Sequence, residues 1–208
     1  MKRTVLSIIM AVFVFTALYA QERRYGIERA ILKKNSEMNM GGMQQSISST
    51  QYIDEYGNKE SMESVVSMAG QTINMFTMMQ DGYVYNANLT AEFGTKVNVA
   101  AAAATEGLRT INLLNLTDEV RQQYQIVEKG NETFLGKECR VYELDITAQG
   151  QNLKVTLCVW QGLSLKSSMT VAGITITEET TEIQEGAVIS KEKFELPEGI
   201  NFIEMPVM

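Results

Sequence analysis

The chain has 208 residues, a formal charge of −7 and no histidine. The missing imidazole removes the commonest general base, the Ser-His and Cys-His nucleophile pairs, and most zinc and iron sites. The acid excess argues against nucleic acid and anionic membrane surfaces as partners, because both carry the same sign.

Lys2 and Arg3 form a short positive start, Val5 to Leu18 is apolar and uncharged, and Ala20 precedes Gln21. This is the pattern of a cleavable signal peptide over 1–20, with cleavage near Ala20 and export to the periplasm. The apolar stretch is short for a spanning helix. No cysteine follows it to accept a lipid anchor. The remainder, 21–208, suits one domain with a substantial core, and losing Lys2 and Arg3 makes it more acidic.

From Tyr25 to Ala91 the pattern predicts successive strands. Ile47 to Ile53 alternates, Glu55-Tyr56-Gly57-Asn58-Lys59 turns, and Ser61 to Met68 follows with Met62, Val66 and Met68 on one side of the pleat. Asp81-Gly82 between two apolar runs is a strong hairpin signal. A two-residue loop there pairs Gln80 with Tyr83, Met78 with Tyr85, Phe76 with Ala87 and Asn74 with Leu89. Phe76, Met78, Tyr83, Tyr85 and Leu89 then share one face, opposite Thr77, Asn86, Asn88, Met75, Met79 and Val84.

The middle changes character. Ala100 to Ala104 is a helix-forming run, and Thr117 before Asp118 and Glu119 reads as a helix N-cap with acids in the first turn. One or two short helices are expected over 97–125. Strands resume from Gln125, broken at Gly136, Ala148-Gln149-Gly150, Gly162, Ala172-Gly173 and Gly186, and end at Pro197. The spacing predicts roughly nine to eleven strands, a mainly β (α+β) fold with no second domain.

Cys139 and Cys158 are the only cysteines. They lie nearly equidistant from the turn at Gln149, and in an exported chain they form a disulfide candidate. Without a Cys-x-x-Cys turn they do not read as a redox pair. Met38-Asn39-Met40-Gly41-Gly42-Met43 has thioether spacing suited to copper(I), but it stands alone, so the methionines read as core or as adaptable lining of apolar surface. Glu178, Glu179 and Glu182 read as a solvated strand face, and no calcium-loop spacing occurs. Asn88, Asn115 and Asn131 head glycosylation-type triplets that are treated as chance. No cofactor, metal ligand or catalytic residue emerges.

Three segments, taken in order, resemble a known group: Gly136-Lys137-Glu138-Cys139-Arg140-Val141-Tyr142, then Val159-Trp160-Gln161-Gly162-Leu163-Ser164-Leu165-Lys166, then Phe194-Glu195-Leu196-Pro197-Glu198-Gly199-Ile200. This order is similar to exported bacterial domains related to the LolA/LolB outer-membrane lipoprotein carriers. The resemblance implies a strongly curved antiparallel sheet, a half-open barrel with a helical plug around 97–125. It also implies an apolar ligand, a lipid or lipoprotein acyl chain, held in the concavity. Phe76, Met78, Tyr83, Tyr85, Leu89 and Trp160 are the candidate pocket lining. The expected function is that of a monomeric, non-enzymatic periplasmic carrier. The alternative is an envelope structural or protein-interaction module with a packed interior. A hydrolase using carboxylates or a Ser-Lys pair ranks last, since no motif supports it.

Overall fold

The computed structural model describes residues 23–40, 43–68, 70–98, 111–148, 151–171 and 173–205. The expected signal peptide and the run Ala100 to Ala104 lie outside the described residues. Six strands come first: β1 (Ala30–Met40), β2 (Met43–Asp54), β3 (Lys59–Met68), β4 (Gln71–Gln80), β5 (Tyr83–Asn88) and β6 (Phe93–Asn98). Helix α1 (Asp118–Gln123) precedes β7 (Val127–Phe134), β8 (Lys137–Ala148), β9 (Gln151–Trp160), β10 (Leu163–Val171), β11 (Ile174–Glu185) and β12 (Asn201–Glu204). All join one sheet of twelve strands in the order β12-β6-β5-β4-β3-β2-β1-β11-β10-β9-β8-β7. Its ladders are antiparallel except β12 on β6.

Local chemistry explains the elements. Asp81 (φ 51°) and Gly82 (φ 77°) take the left-handed conformations of a tight hairpin. The predicted register follows: Gln80 faces Tyr83, Met78 faces Tyr85 and Phe76 faces Ala87. Leu89 N donates to Asn74 O at 2.8 Å. Residues 99–110 of the expected helical stretch lie outside the described residues. Val97 and Asn98 belong to β6, and only Asp118–Gln123 is α-helical among the described residues, capped by Thr117, whose side chain accepts from Val120 N. Ahead of it, the Asn112 carbonyl oxygen Oδ1 accepts from Leu114 N and Asn115 N, a local turn that competes with helix.

The sheet curves strongly. Arg24 N and Tyr25 N donate to Tyr56 O at the β2–β3 turn, while Gly26 N donates to Gln161 O at the β9–β10 turn. In a flat sheet those turns would stand about 19 Å apart, four strand spacings. Consecutive residues Arg24 to Gly26 span only about 7 Å of chain. The N-terminal segment therefore closes one end of a trough. Gly162, at φ +80°, is needed there, because a Cβ would lie 2.7 Å from Arg24 O.

Two bulges make the bend. The register slips between β1 and β11 beside Lys33 and Lys34, and between β9 and β10 at Ser164 to Lys166. β10 pairs with β11 only from Lys166 onward, so Leu163 to Leu165 leave that ladder. They turn into a core of Tyr25, Ala30, Leu32, Ile53, Cys139, Cys158, Leu163 and Leu165. A second core seats Ile111, Ile126 and the α1 segment against Tyr142, Leu144, Val155, Leu157 and Val159 of β8 and β9. A third joins Phe76, Met78 and Ala87 to Leu196, Ile200 and Phe202 of the C-terminal segment.

The disulfide expectation is corrected. Both cysteines are buried free thiols. Arg140 faces Val159 and Val141 faces Cys158, so Cys139 sits diagonally from Cys158 rather than opposite it. Burial first, then the neighbouring Cys139 thiol, pushes the Cys158 thiol well above its ordinary range. Burial likewise raises Cys139.

Candidate functional site

Strand alternation decides which side chains look into the trough. Tyr25, Ala30, Leu32 and Ile53 pack together at its closed end. On β1, Lys34, Ser36 and Met38 continue the same face as Ala30 and Leu32. Following the ladders outward, the concave face gathers Ile47 on β2, Val66 on β3, Ile73 on β4, Ile176 on β11 and Met169 on β10. With Met38 these form a half-buried apolar row across six adjacent strands. Met169 packs against the α1 core. Among the described residues the other five are packed against none of the three cores.

Between this row and the closed end lies a polar layer. Lys34 is paired in the ladders with Ser49 on one side and Thr180 on the other, and all three are buried. Lys34 Nζ donates to Glu178 Oε1 at 3.0 Å and to Ser164 O at 3.3 Å. It thus spans the gap that the bulges open between β10 and β11. Ser36 Oγ donates to Glu178 Oε2 at 3.3 Å. Below, Glu60 is a hub. Its carboxylate accepts from Gln51 Nε2 at 2.7 Å, and from Tyr25 OH and Arg24 at 2.9 Å each. Burial first, then the Glu60 carboxylate, drives the Tyr25 hydroxyl far above its ordinary pKa.

Phe76, Met78, Tyr83, Tyr85 and Leu89 share a face as the hairpin predicts, but that face is the convex one. Phe76 and Met78 are only 5% and 3% exposed, beneath Leu196, Ile200 and Phe202. Tyr85 meets Phe202 edge to face at 5.2 Å, and Tyr83 OH donates to Glu204 Oε1 at 3.4 Å. The chain's own C-terminus occupies these residues. Leu89 lies beyond them, in an open depression of about 450 Å³ with Lys33, Asn35, Ser48, Thr50 and Asn74. Trp160 is remote from all five, packed on the closed-end core with Lys137 Nζ 4.6 Å from its ring centre.

The trough residues carried a sequence signal in part. Met62 and Val66 are predicted on one side of their strand, and that side is the concave one. Lys34 and Glu178 carried none, being 144 residues apart. Of the Met38 to Met43 stretch, Met38 to Met40 end β1 and Met43 opens β2, with Met40 paired to Met43 in the ladder. Among the described residues no cluster of three or more His, Cys, Asp or Glu side chains could hold a metal.

No family model and no curated protein matches the sequence. Solved structures do. An uncharacterised conserved protein from Thermus thermophilus is similar at TM-score 0.51 and 9% identity, over 86% of this chain and 91% of that one. A putative outer membrane lipoprotein-sorting protein domain from Vibrio parahaemolyticus is similar at TM-score 0.44 and 11% identity, covering 84% and 94%. The Mycobacterium tuberculosis lipoprotein LppX is similar at TM-score 0.41 and 8% identity, covering 79% and 91%. The likeness concerns architecture and not ligand: the chain shares its overall fold with the Thermus thermophilus protein.

Proposed function

We propose that this chain is an exported, periplasmic binding or carrier protein that shields an apolar ligand in its trough without covalent chemistry. The observation that carries the reading is the apolar row Ile73–Val66–Ile47–Met38–Ile176, half-buried on the concave face and outside every core. A bound chain would remove that surface from water, at about 25 cal/mol for each Å² buried. Met38, with Met62, Met75 and Met79 on the same face, supplies walls that adapt to chains of different shape. The ligand class this suits best is a lipid or acyl chain. The signal peptide over 1–20 and one domain over 21–208 complete the reading.

Delipidated protein titrated with the apolar fluorophore 1-N-phenylnaphthylamine should show saturable uptake. Absence of uptake would remove the proposal's footing. A second reading, an envelope protein-interaction module, is favoured by the exposed apolar trio Phe93, Ile203 and Met205 at the β6–β12 edge. Capture of one specific envelope protein, abolished by Phe93→Ser with Ile203→Ser, would support it.

A further inference from the structure

The trough is not uniformly apolar, and the difference points to the kind of ligand. Two buried side-chain oxygens, Gln51 Oε1 and Thr180 Oγ1, have no hydrogen-bond partner among the described residues. Gln51 is 7% exposed and Thr180 2%. Both stand on the concave face: Thr180 is the ladder partner of Lys34 on β11, and Gln51, opposite Leu32, lies diagonal to Lys34 on β2. A buried polar atom left unpaired costs about 1–3 kcal/mol, so native proteins seldom keep one without a partner from outside the chain.

The layer's chemistry restricts that partner. Gln51 spends its amide nitrogen on Glu60, and the oxygen that remains can only accept. A donor must meet it, whereas the Thr180 hydroxyl can meet either a donor or an acceptor. The two cations of the layer already face carboxylates, Lys34 on Glu178 and Arg24 on Glu60. Charge therefore nearly cancels, and an incoming carboxylate would find an acceptor oxygen and two further carboxylates ahead of it. Next to this layer begins the apolar row.

We infer that the ligand is a neutral amphiphile whose hydroxyl-bearing head enters the polar layer at Gln51 and Thr180, with its chain lying along Ile47, Val66 and Met38. Monoacylglycerols and fatty alcohols have this chemistry, and free fatty acids do not. The inference rests on the trough being the ligand site and adds the head group and its polarity.

The test is displacement of 1-N-phenylnaphthylamine from the delipidated full chain at neutral pH by 1-monooleoylglycerol, oleate and methyl oleate, which share one chain. Monooleoylglycerol should displace at least tenfold better than either competitor, and Thr180→Val and Gln51→Leu should each shrink that preference severalfold. Equal displacement by all three, or oleate binding best, overturns the inference and leaves the apolar-ligand reading intact. A preference that survives both substitutions also overturns it, marking the two oxygens as sites for ordered water only. Failure of the fluorophore to bind at all defeats the parent reading instead. The wild-type ligand series decides the matter even where a substitution impairs folding.

Discussion

Lys34→Met tests how the sheet holds its bend. The ammonium spans the split between β10 and β11, reaching Ser164 O and Glu178. Its side chain is only 9% exposed, while that of Glu178 is 31% exposed. Removing one partner of a fully buried pair costs about 3–5 kcal/mol. Here the carboxylate keeps access to water, and methionine retains most of the buried stem, so the expected loss is about 2 kcal/mol. For a chain of this length that lowers Tm by about 4–8 °C. Glu178→Gln and the double mutant complete the cycle, with a coupling energy of about 1 kcal/mol expected from urea unfolding. A Lys34→Met protein as stable as the parent, or a coupling near zero, would refute Lys34 as the brace across the split.

Tyr25 gives a pH test, because its pKa is raised when folded and ordinary, about 10, when unfolded. Its contribution to stability is complete below about pH 10 and is lost as pH rises above that value. Tyr25→Phe should therefore flatten the alkaline fall of stability relative to wild type in paired melts, and identical alkaline slopes would count against the buried Tyr25–Glu60 contact. Gly162→Ala places a Cβ against Arg24 O in a left-handed conformation and should destabilise by more than about 1 kcal/mol; a neutral result would mean that the N-terminal segment does not close the trough. Cys139 and Cys158, buried with raised pKa values, should resist alkylation in the native state and give two thiols on denaturation. A mass two hydrogens short would reveal a disulfide instead.

The hairpin at Asp81-Gly82 was legible because a turn signal and two-residue periodicity fix register locally: three of the four expected pairs lie in the ladder, and Leu89, just past it, still donates its N–H to Asn74 O. Which face of that hairpin looks inward was not legible. Alternation separates two faces but is silent on which one the sheet bends toward, and the bend depends on bulges at Thr181 and Leu165 with no turn residue to mark them. The aromatic face of β4 and β5 looked more like a pocket because Phe and Tyr bury more area than Met and Ile. The C-terminal segment, about a hundred residues onward, uses that area as core. The cysteine pairing failed for a related reason: equidistance from a turn fixes the ladder only to within a residue or two. Of the helix expected over 97–125, Val97 and Asn98 belong to β6, Asn112 ties its downstream amides into a turn and Asp118–Gln123 is helical, while 99–110 lie outside the described residues.

The most direct measurement is a crystal structure of the protein soaked with a bromine-labelled monoacylglycerol. The account predicts an anomalous bromine peak on the concave face, beside the row from Ile73 to Ile176. A peak in the convex depression beside Ser48 and Asn74, or none anywhere on the protein, would contradict it.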